Sequence, residues 1–319
     1  MKYIKYFLIF LALLIVAIIT LNYTNSKPKK AKQNPYEYKV DEFRQVDPAL
    51  VHYAEKRQIK IKLEGKAGIC TWNKKIYLAA NSKVSLVSPE GKLESSFSVN
   101  NDTRAIAVNE HFIAIASEKN VAVYNHLGEQ LFTTPSVSDS SVFTSLALWD
   151  GDIVVADAGK RRILIFKKDK LTNEIEGISG IKNLHGFIVP SARFDLSIDP
   201  ENELWVVNPG MHALQQYTRE GNLAGTWEKA SLQIDGFSGC CNPAQITTLS
   251  DGRIVTSEKG MPRIKIYSSY GELISVVAPP SVFGKNTEAA EVAAIGEIIV
   301  ALDTEQELIR IFEKIVPEP

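Results

Sequence analysis

The pattern of apolar and polar residues divides the chain into two parts. Residues 6–21 form an unbroken apolar run without a charged residue. From about residue 58 onwards, short runs rich in Val, Ile and Ala alternate with Gly-containing turns, and no long stretch has the apolar spacing of an amphipathic helix. The pattern therefore predicts one N-terminal apolar helix followed by a large all-β domain.

The apolar run has the length and flanks of a signal anchor. It approaches the ~20 apolar residues that a membrane-spanning helix needs. Neither a small-residue cleavage site nor a cysteine for lipid attachment follows it. We expect a transmembrane signal anchor over residues 1–22, in preference to a cleaved signal peptide, with residues 6–21 in the membrane. Residues 23–45 are polar and rich in Lys and Pro, and we expect them to form a flexible tether.

The orientation of this anchor does not follow from its charges. Lysines lie on both sides of the run, so the positive-inside rule favours neither side. Because a signal anchor usually translocates the chain that follows it, we expect a single-pass protein of the cell membrane. Its β domain would lie outside the cytoplasm, which is the periplasm in a bacterium.

The rest of the chain repeats one pattern six times. Each unit has a strand, a short polar turn and a second strand, as in ALWDGDIVVADAGKRRILIF and TLSDGRIVTSEKGMPRIKIY. Four units continue into a turn with Gly at one position: SPEGKL, NHLGEQL, TREGNLAG and SSYGELIS. Units of about 35–50 residues with four strands are typical of β-propeller blades. The last unit is one strand short, and QIKIKLEG at 58–65 is the natural strand to complete it. We therefore predict a six-bladed β-propeller over residues 46–319, closed by its N-terminal strand.

Two of the units carry a family resemblance. VVADAGKRRILIF and VTSEKGMPRIKIYSSYGEL resemble the NHL repeat, with a small residue and an acidic residue followed by Arg-Ile and an aromatic residue. The chain is also similar to a group of bacterial membrane-anchored NHL-type proteins. This resemblance implies the six-bladed fold. For function it implies a binding scaffold or, as in a few NHL-type propellers, a lyase.

Composition narrows the classes of partner. The formal net charge is −1 over 319 residues, whereas a general nucleic-acid-binding surface needs an excess of Lys and Arg to neutralise phosphates. We therefore expect no nucleic-acid partner. The three cysteines are too few for a disulfide framework.

The topology places the unusual polar residues on one face of the propeller. Because successive strands are antiparallel, the loop before a blade's first strand and the loop between its second and third strands lie on the same face. These loops should surround one mouth of the central channel, where a ligand would bind. The residues that we expect there are Asp157, Arg161, Asn208, His212, Cys240, Cys241, Asn242, Glu258, Lys259, Arg263 and Asp303. His185 precedes the first strand of blade four and would reach the same face.

Several of these residues also have a purely structural interpretation. Asp157 and its equivalents in other blades recur at one blade position, where a side chain that caps the loop would be expected. Arg161 and Arg263 would then pair with acids of neighbouring blades. A ligand-binding or acid–base role for His212 or His185 is the less favoured alternative.

The adjacent cysteines, Cys240 and Cys241, admit several interpretations. Zinc needs about four ligands, which CC without a second cluster does not supply, so we predict no metal site. A nucleophilic cysteine needs a base beside it, and His212 is the one candidate. Outside the cytoplasm thiols oxidise, so a Cys240–Cys241 disulfide, structural or redox-active, is the leading interpretation. Two free thiols that shape a turn before Pro243 are the alternative, and Cys70 should be buried and free.

Two functions remain open. The first is a membrane-anchored scaffold that binds a protein or a small molecule at the channel mouth. The second is an enzyme, a hydrolase, lyase or redox enzyme, that uses the mouth and the Cys240–Cys241 pair. The scaffold is favoured because no catalytic motif is present, and the sequence leaves the question of a cofactor open. Quinone-dependent alcohol dehydrogenases also place a vicinal disulfide in a propeller, but this chain lacks their repeated Trp motif.

Overall fold

A computed structural model describes residues 2–25, 40–99, 102–177, 186–286 and 288–316. The chain separates into residues Met1–Val40 and a compact unit, Asp41–Pro319. The first part contains helix α1 (Lys2–Asn25). Its segment Tyr3–Leu21 has 19 residues and a mean hydropathy of 2.7. This segment is long and apolar enough to cross a membrane, and a signal sequence would have the same properties. Most of the predicted tether lies outside the described residues.

The compact unit is a six-bladed β-propeller, as the repeats predicted. The described residues of this unit form 24 strands in six four-stranded antiparallel sheets. Blade one contains β2 (Ala67–Trp72), β3 (Lys75–Ala80), β4 (Lys83–Val87) and β5 (Leu93–Ser98). Blade two contains β6 (Ala105–Val108), β7 (Ile113–Ala116), β8 (Val121–Tyr124) and β9 (Gln130–Thr133). Blade three contains β10 (Phe143–Trp149), β11 (Asp152–Asp157), β12 (Arg162–Lys167) and β13 (Lys170–Ile175).

The remaining blades follow the same order. Blade four contains β14 (Leu196–Ile198), β15 (Leu204–Asn208), β16 (Ala213–Tyr217) and β17 (Leu223–Glu228). Blade five contains β18 (Gln245–Thr248), β19 (Ile254–Ser257), β20 (Ile264–Tyr267) and β21 (Leu273–Ala278). Blade six contains β22 (Glu291–Ile295), β23 (Ile298–Asp303), β24 (Leu308–Lys314) and the N-terminal strand β1 (Tyr53–Lys60). A short helix, α2 (Pro280–Phe283), and three 3₁₀ turns, Val40–Arg44, Pro48–Leu50 and Pro209–Met211, complete the described elements.

The ring closes where the sequence predicted, but the closing strand begins earlier. β1 pairs antiparallel with β24, from Tyr53 opposite Lys314 to Lys60 opposite Leu308. The expected range was 58–65, so the strand lies five residues towards the N-terminus of it. The reason is packing: Tyr53 is buried among side chains of blades five and six. Residues 61–66 then lead into blade one.

The hydrophobic core lies between blades instead of at one centre. Inner strands β2, β6, β10, β14, β18 and β22 contact one another in a ring. The second and third strands of the blades are covered by side chains of the adjacent blades, as where Val154 and Ile165 of blade three pack with Val206 and Leu214 of blade four. A single blade would leave both of its apolar faces in water, so each blade depends on two neighbours.

This dependence gives a test of closure. A chain without residues 1–61 should unfold at a lower temperature than a chain without residues 1–40, and it should self-associate. The shorter chain lacks β1, so it exposes the edge of β24 and the apolar surface that Tyr53 covers. Thermal unfolding and light scattering of the two chains measure both effects. Equal unfolding temperatures and equal scattering would contradict the closing role of β1.

Candidate functional site at the channel mouth

The central channel holds two neighbouring cavities. A cavity of about 290 Å³ is lined by the six inner strands. A second cavity, of about 250 Å³, lies where the loops enter those strands. The two share Thr144, Gln245 and Glu291 in their walls. We call the second cavity the mouth cavity.

The loops meet at this face as the topology predicted. In blade two, Arg104 N, before the first strand, donates to Ala116 O at the end of the second strand at 2.8 Å. In blade five, Ala244 N donates to Ser257 O at 2.9 Å in the same way. The loops before the first strand and after the second strand therefore lie together in these blades.

Asp157 is a structural cap of this face. Its carboxylate is fully buried, and it accepts from Ser141 Oγ at 2.8 Å and from Val142 N at 2.9 Å. Arg162 Nε donates to it at 3.1 Å. The expectation that Arg161 pairs with a neighbouring blade is wrong, because Arg161 is exposed in a left-handed turn (φ 55°) and its neighbour Arg162 pairs within the blade.

Glu258 and Arg263 form a buried ion cluster with Lys265. All three side chains have 0% exposure. Glu258 lies 2.6 Å from Arg263 Nη2 and 2.7 Å from Lys265 Nζ. Burial lowers the pKa of Lys265 to about 8, although the Glu258 carboxylate opposes this shift. Arg263 therefore pairs inside its own blade, and the expected pairing with a neighbouring blade is wrong for this residue also.

Asn208 and Asp303 occupy the equivalent positions of blades four and six. Asn208 Oδ1 accepts from Ile188 N at 2.8 Å, and its amide donates to Gln215 Oε1 at 3.1 Å. Asp303 accepts from Arg310 Nε at 3.0 Å. Both residues are buried, so their polar groups hold loops and are not offered to a ligand.

The Cys240–Asn242 loop is held against the loop that follows β19. The buried Asn242 amide donates to Ser238 O at 2.5 Å and to Lys259 O at 2.9 Å, and it accepts from Lys259 N at 2.8 Å. His212 Nδ1 lies 3.1 Å from Asn242 O, which brings a loop of blade four to the same place. Asn242 is therefore an anchor of the loop that carries both cysteines.

The two cysteines are adjacent free thiols, so the structure does not contain the Cys240–Cys241 disulfide that the sequence favoured. Cys240 Sγ and Cys241 Sγ lie 3.2 Å apart; Cys240 is exposed and Cys241 is buried. Cys70 is also free, and it is half-buried in the wall of the channel. Among the described residues, no group of three or more His, Cys, Asp and Glu side chains is arranged to hold a metal ion. His185 lies outside the described residues.

The mouth cavity contains charged residues that the sequence interpretation did not select. They are Lys66, Arg104, Arg193, Glu288 and Glu291, in addition to the expected Lys259. Three of them could have been found from the sequence, because Lys66, Arg104 and Arg193 each lie one to three positions before the inner strand of their blade. An alignment of the units on their inner strands would have found this recurrence.

The cations are only partly neutralised. Arg193 pairs with Glu288, and Arg104 lies 3.4 Å from Glu118 at the exposed rim. Lys259 Nζ donates to Ser191 Oγ at 3.2 Å. Within the described ranges, neither Lys66 nor Lys259 has a carboxylate within ion-pair distance.

Two carboxyl groups line the channel near these cations: Asp195 is buried and Glu291 is half-buried. Burial raises the pKa of Glu291 to about 8, and the charge of Asp195 adds to the shift. Burial also raises the pKa of Asp195 to about 6, against the hydrogen bonds that it accepts from Ser145, Ile246 and Leu196. A pKa of about 8 favours the neutral form of Glu291 near neutral pH, which reduces the negative charge facing the cations; its Oε2 accepts from Ile69 N at 3.2 Å.

Comparisons with known proteins support the fold. The chain is similar to virginiamycin B lyase from Staphylococcus aureus in complex with quinupristin, with 17% identity, a TM-score of 0.55 and coverage of 82% of this chain and 100% of that one. A streptogramin B lyase aligns with 14% identity, a TM-score of 0.56 and coverage of 83% and 88%. A protein of unknown function from Bacteroides thetaiotaomicron aligns with 14% identity, a TM-score of 0.55 and coverage of 82% and 72%.

At such low identities these likenesses establish the six-bladed propeller and no shared activity. No family model matches the chain, and no curated protein does. The class of this protein is therefore that of six-bladed β-propellers with an N-terminal apolar helix. The NHL resemblance remains a prediction.

The raised pKa of Glu291 gives a pH-dependent stability. A carboxyl group with a raised pKa contributes stability below its unfolded value, near 4.5, and loses it as the pH rises through about 8. The wild type should therefore lose stability relative to Glu291→Gln between about pH 5 and about pH 9. Urea midpoints of both proteins across this range measure the difference.

Glu288→Gln is the matched control, because it removes a carboxylate from the same cavity at a half-exposed position. If the difference in urea midpoint between wild type and Glu291→Gln stays constant with pH, the pKa of Glu291 is not raised by burial.

Proposed function

We propose that this protein is a membrane-anchored propeller that acts as a ligand-binding scaffold outside the cytoplasm, and that its channel mouth binds a small anionic molecule. The observation that carries the proposal is the mouth cavity of about 250 Å³ with four cationic side chains in its wall. The cations come from blades one, two, four and five, so a ligand in the cavity would contact several blades at once.

The charges of the mouth favour an anion over a neutral or cationic ligand. Lys66 and Lys259 are not neutralised by described carboxylates, and burial raises the pKa of Glu291, which favours its neutral form. Lys259 is held in place by its backbone contact with Asn242 and its side-chain contact with Ser191. Charge-assisted hydrogen bonds to such fixed donors are the strong class of polar contact. Carboxylates and phosphates of small size fit both the volume and the donors.

An enzyme is the second candidate, because a protonated Glu291 beside cations is also an arrangement for acid–base chemistry. Two of the solved structures with this fold are named as lyases, which shows that a six-bladed propeller can be an enzyme. The scaffold is preferred because the sequence carries no catalytic motif, and the neighbours share only the fold with this chain.

Anion binding has a direct test in the full chain, solubilised in a neutral detergent. Citrate and inorganic phosphate should bind, and Lys66→Met or Lys259→Met should each weaken binding about tenfold, as for the loss of one charge-assisted contact of about 1.5 kcal/mol. Binding should also weaken with added salt. Isothermal titration calorimetry measures both effects. Lys160→Met, at an exposed position of another loop, is the matched control.

The outcomes separate the candidates. Anion binding that is unaffected by both mouth variants would contradict the proposed site. Chemical conversion of a bound anion, lost in Glu291→Gln, would favour the enzyme. If neither anion binds and the detergent-solubilised chain instead retains a protein partner through these residues, the mouth is a protein-binding surface.

The membrane anchor has a separate test. The chain expressed in a bacterium should stay in the membrane fraction after a carbonate wash, and removal of residues 2–25 should release it, because Tyr3–Leu21 is the described segment apolar enough to span a bilayer. Protease added outside spheroplasts should digest the propeller. Recovery of a shortened, soluble chain would identify a cleaved signal instead, and full protection from protease would contradict the proposed side of the membrane.

A further inference from the structure

The cysteine pair offers one accessible sulfur and one protected sulfur. Cys240 is exposed, whereas Cys241 is 2% exposed. Their sulfur atoms lie 3.2 Å apart. The Asn242 amide, with its three hydrogen bonds to backbone atoms, fixes the loop immediately after them. Little movement is therefore needed to bring the two sulfurs into reaction.

The surroundings of the pair distinguish the two thiols further. Burial opposes ionisation of Cys241, but contacts with Ser191, Cys240 and Lys259 outweigh it and lower the pKa of Cys241. The hydrogen bond with Cys241 raises the pKa of Cys240. The thiolate of the pair is therefore favoured on the buried sulfur, beside the Lys259 ammonium.

We propose that Cys240 and Cys241 are a thiol–disulfide exchange pair, in which exposed Cys240 reacts first with a disulfide and Cys241 completes the reaction. This activity does not depend on anion binding at the mouth. The reaction partner is a disulfide that can reach Cys240 from solvent, such as a small peptide disulfide.

The exchange has two balanced steps. Cys240, after giving its proton to solvent, attacks one sulfur of the partner, R–S–S–R; a Cys240–S–S–R bond forms, and R–S⁻ leaves and takes up a proton. Cys241, after giving its own proton to solvent, then attacks Cys240 Sγ as the thiolate; the Cys240–Cys241 bond forms, and the second R–S⁻ leaves and is protonated by solvent. The partner gains two electrons and becomes two R–SH, while the cysteine pair is oxidised to a disulfide.

The order of the steps follows from access. A disulfide from solvent reaches Cys240 more easily than Cys241, and thiol–disulfide exchange depends on access as well as on thiolate content. Cys241 needs no access to solvent, because its target is the neighbouring sulfur. A bond between adjacent residues closes an eight-membered ring, and such strained disulfides are readily reduced again. The pair is thereby suited to exchange in both directions.

The test uses the reduced full chain in neutral detergent, treated with glutathione disulfide, quenched in acid, alkylated and examined by intact mass and peptide mapping. The wild type should lose both alkylation sites, at Cys240 and Cys241, without a lasting glutathione adduct. Cys241→Ser should hold one glutathione on Cys240, because no second thiol can displace it. Cys240→Ser should keep Cys241 free over the same time, because Cys241 is buried.

Lys259 gives a readout that distinguishes exchange from simple oxidation. Lys259→Met should raise the pKa of Cys241 and slow the second step, so the mixed disulfide on Cys240 should accumulate in the time course. Lys119→Met is the matched control, because Lys119 stands in the same Ser-Glu-Lys sequence of blade two. It should behave as wild type.

Two results would overturn the proposal, provided that thermal unfolding shows the variants to be folded. One is a Cys241→Ser protein that acquires no glutathione. The other is a wild type that keeps both alkylation sites in excess glutathione disulfide. Loss of anion binding alone would leave both measurements unchanged, so the failure of the proposed function and the failure of this inference are distinguishable.

Discussion

Closure of the ring is the constraint on which the rest of the structure depends. Each blade buries its faces only between two neighbours, so a gap at any point would expose two apolar surfaces. β1 removes the gap by pairing with β24, and Arg310 reinforces the joint by binding Glu55 of β1 and Asp303 of blade six. The closed ring places six inner strands around one channel. The mouth cavity exists because those strands start at the same face.

The same constraint explains why so many polar residues at this face are structural. The chain reverses between the second and third strands of each blade, and the reversal leaves backbone groups that need partners. Asp157, Asn208, Glu258 and Asp303 supply them from one blade position, and a basic or amide side chain five or seven residues later binds each of them. Breaking such a buried pair by removal of one partner costs about 3–5 kcal/mol, which keeps the loops fixed.

The sequence predicted the fold well because the repeat is local and periodic. Strand alternation and turn glycines recur within each blade, so six blades and their closure could be inferred without knowledge of any contact. Single positions were less predictable. The sequence did not show that Arg162, and not its neighbour Arg161, binds the cap Asp157. It also did not show that the closing strand begins at Tyr53, whose side chain packs between blades five and six. The mouth was predicted only in part, because Lys66, Arg193 and Glu291 come from distant blades and converge through the ring.

The chemistry of the mouth follows from the contrast between its layers. The buried caps of the loops are held in place, because each has its own side-chain partner. Glu291 lines both cavities and has a pKa raised by burial, while Lys66 and Lys259 lie in the wall of the mouth cavity. Lys259 joins the layers: its backbone binds the Asn242 amide, and its ammonium faces both Ser191 and the Cys241 thiol. Lys259 thus both anchors the cysteine loop and contributes a positive charge to the mouth cavity. The thiol pair and the cations of the mouth cavity therefore influence one another electrostatically.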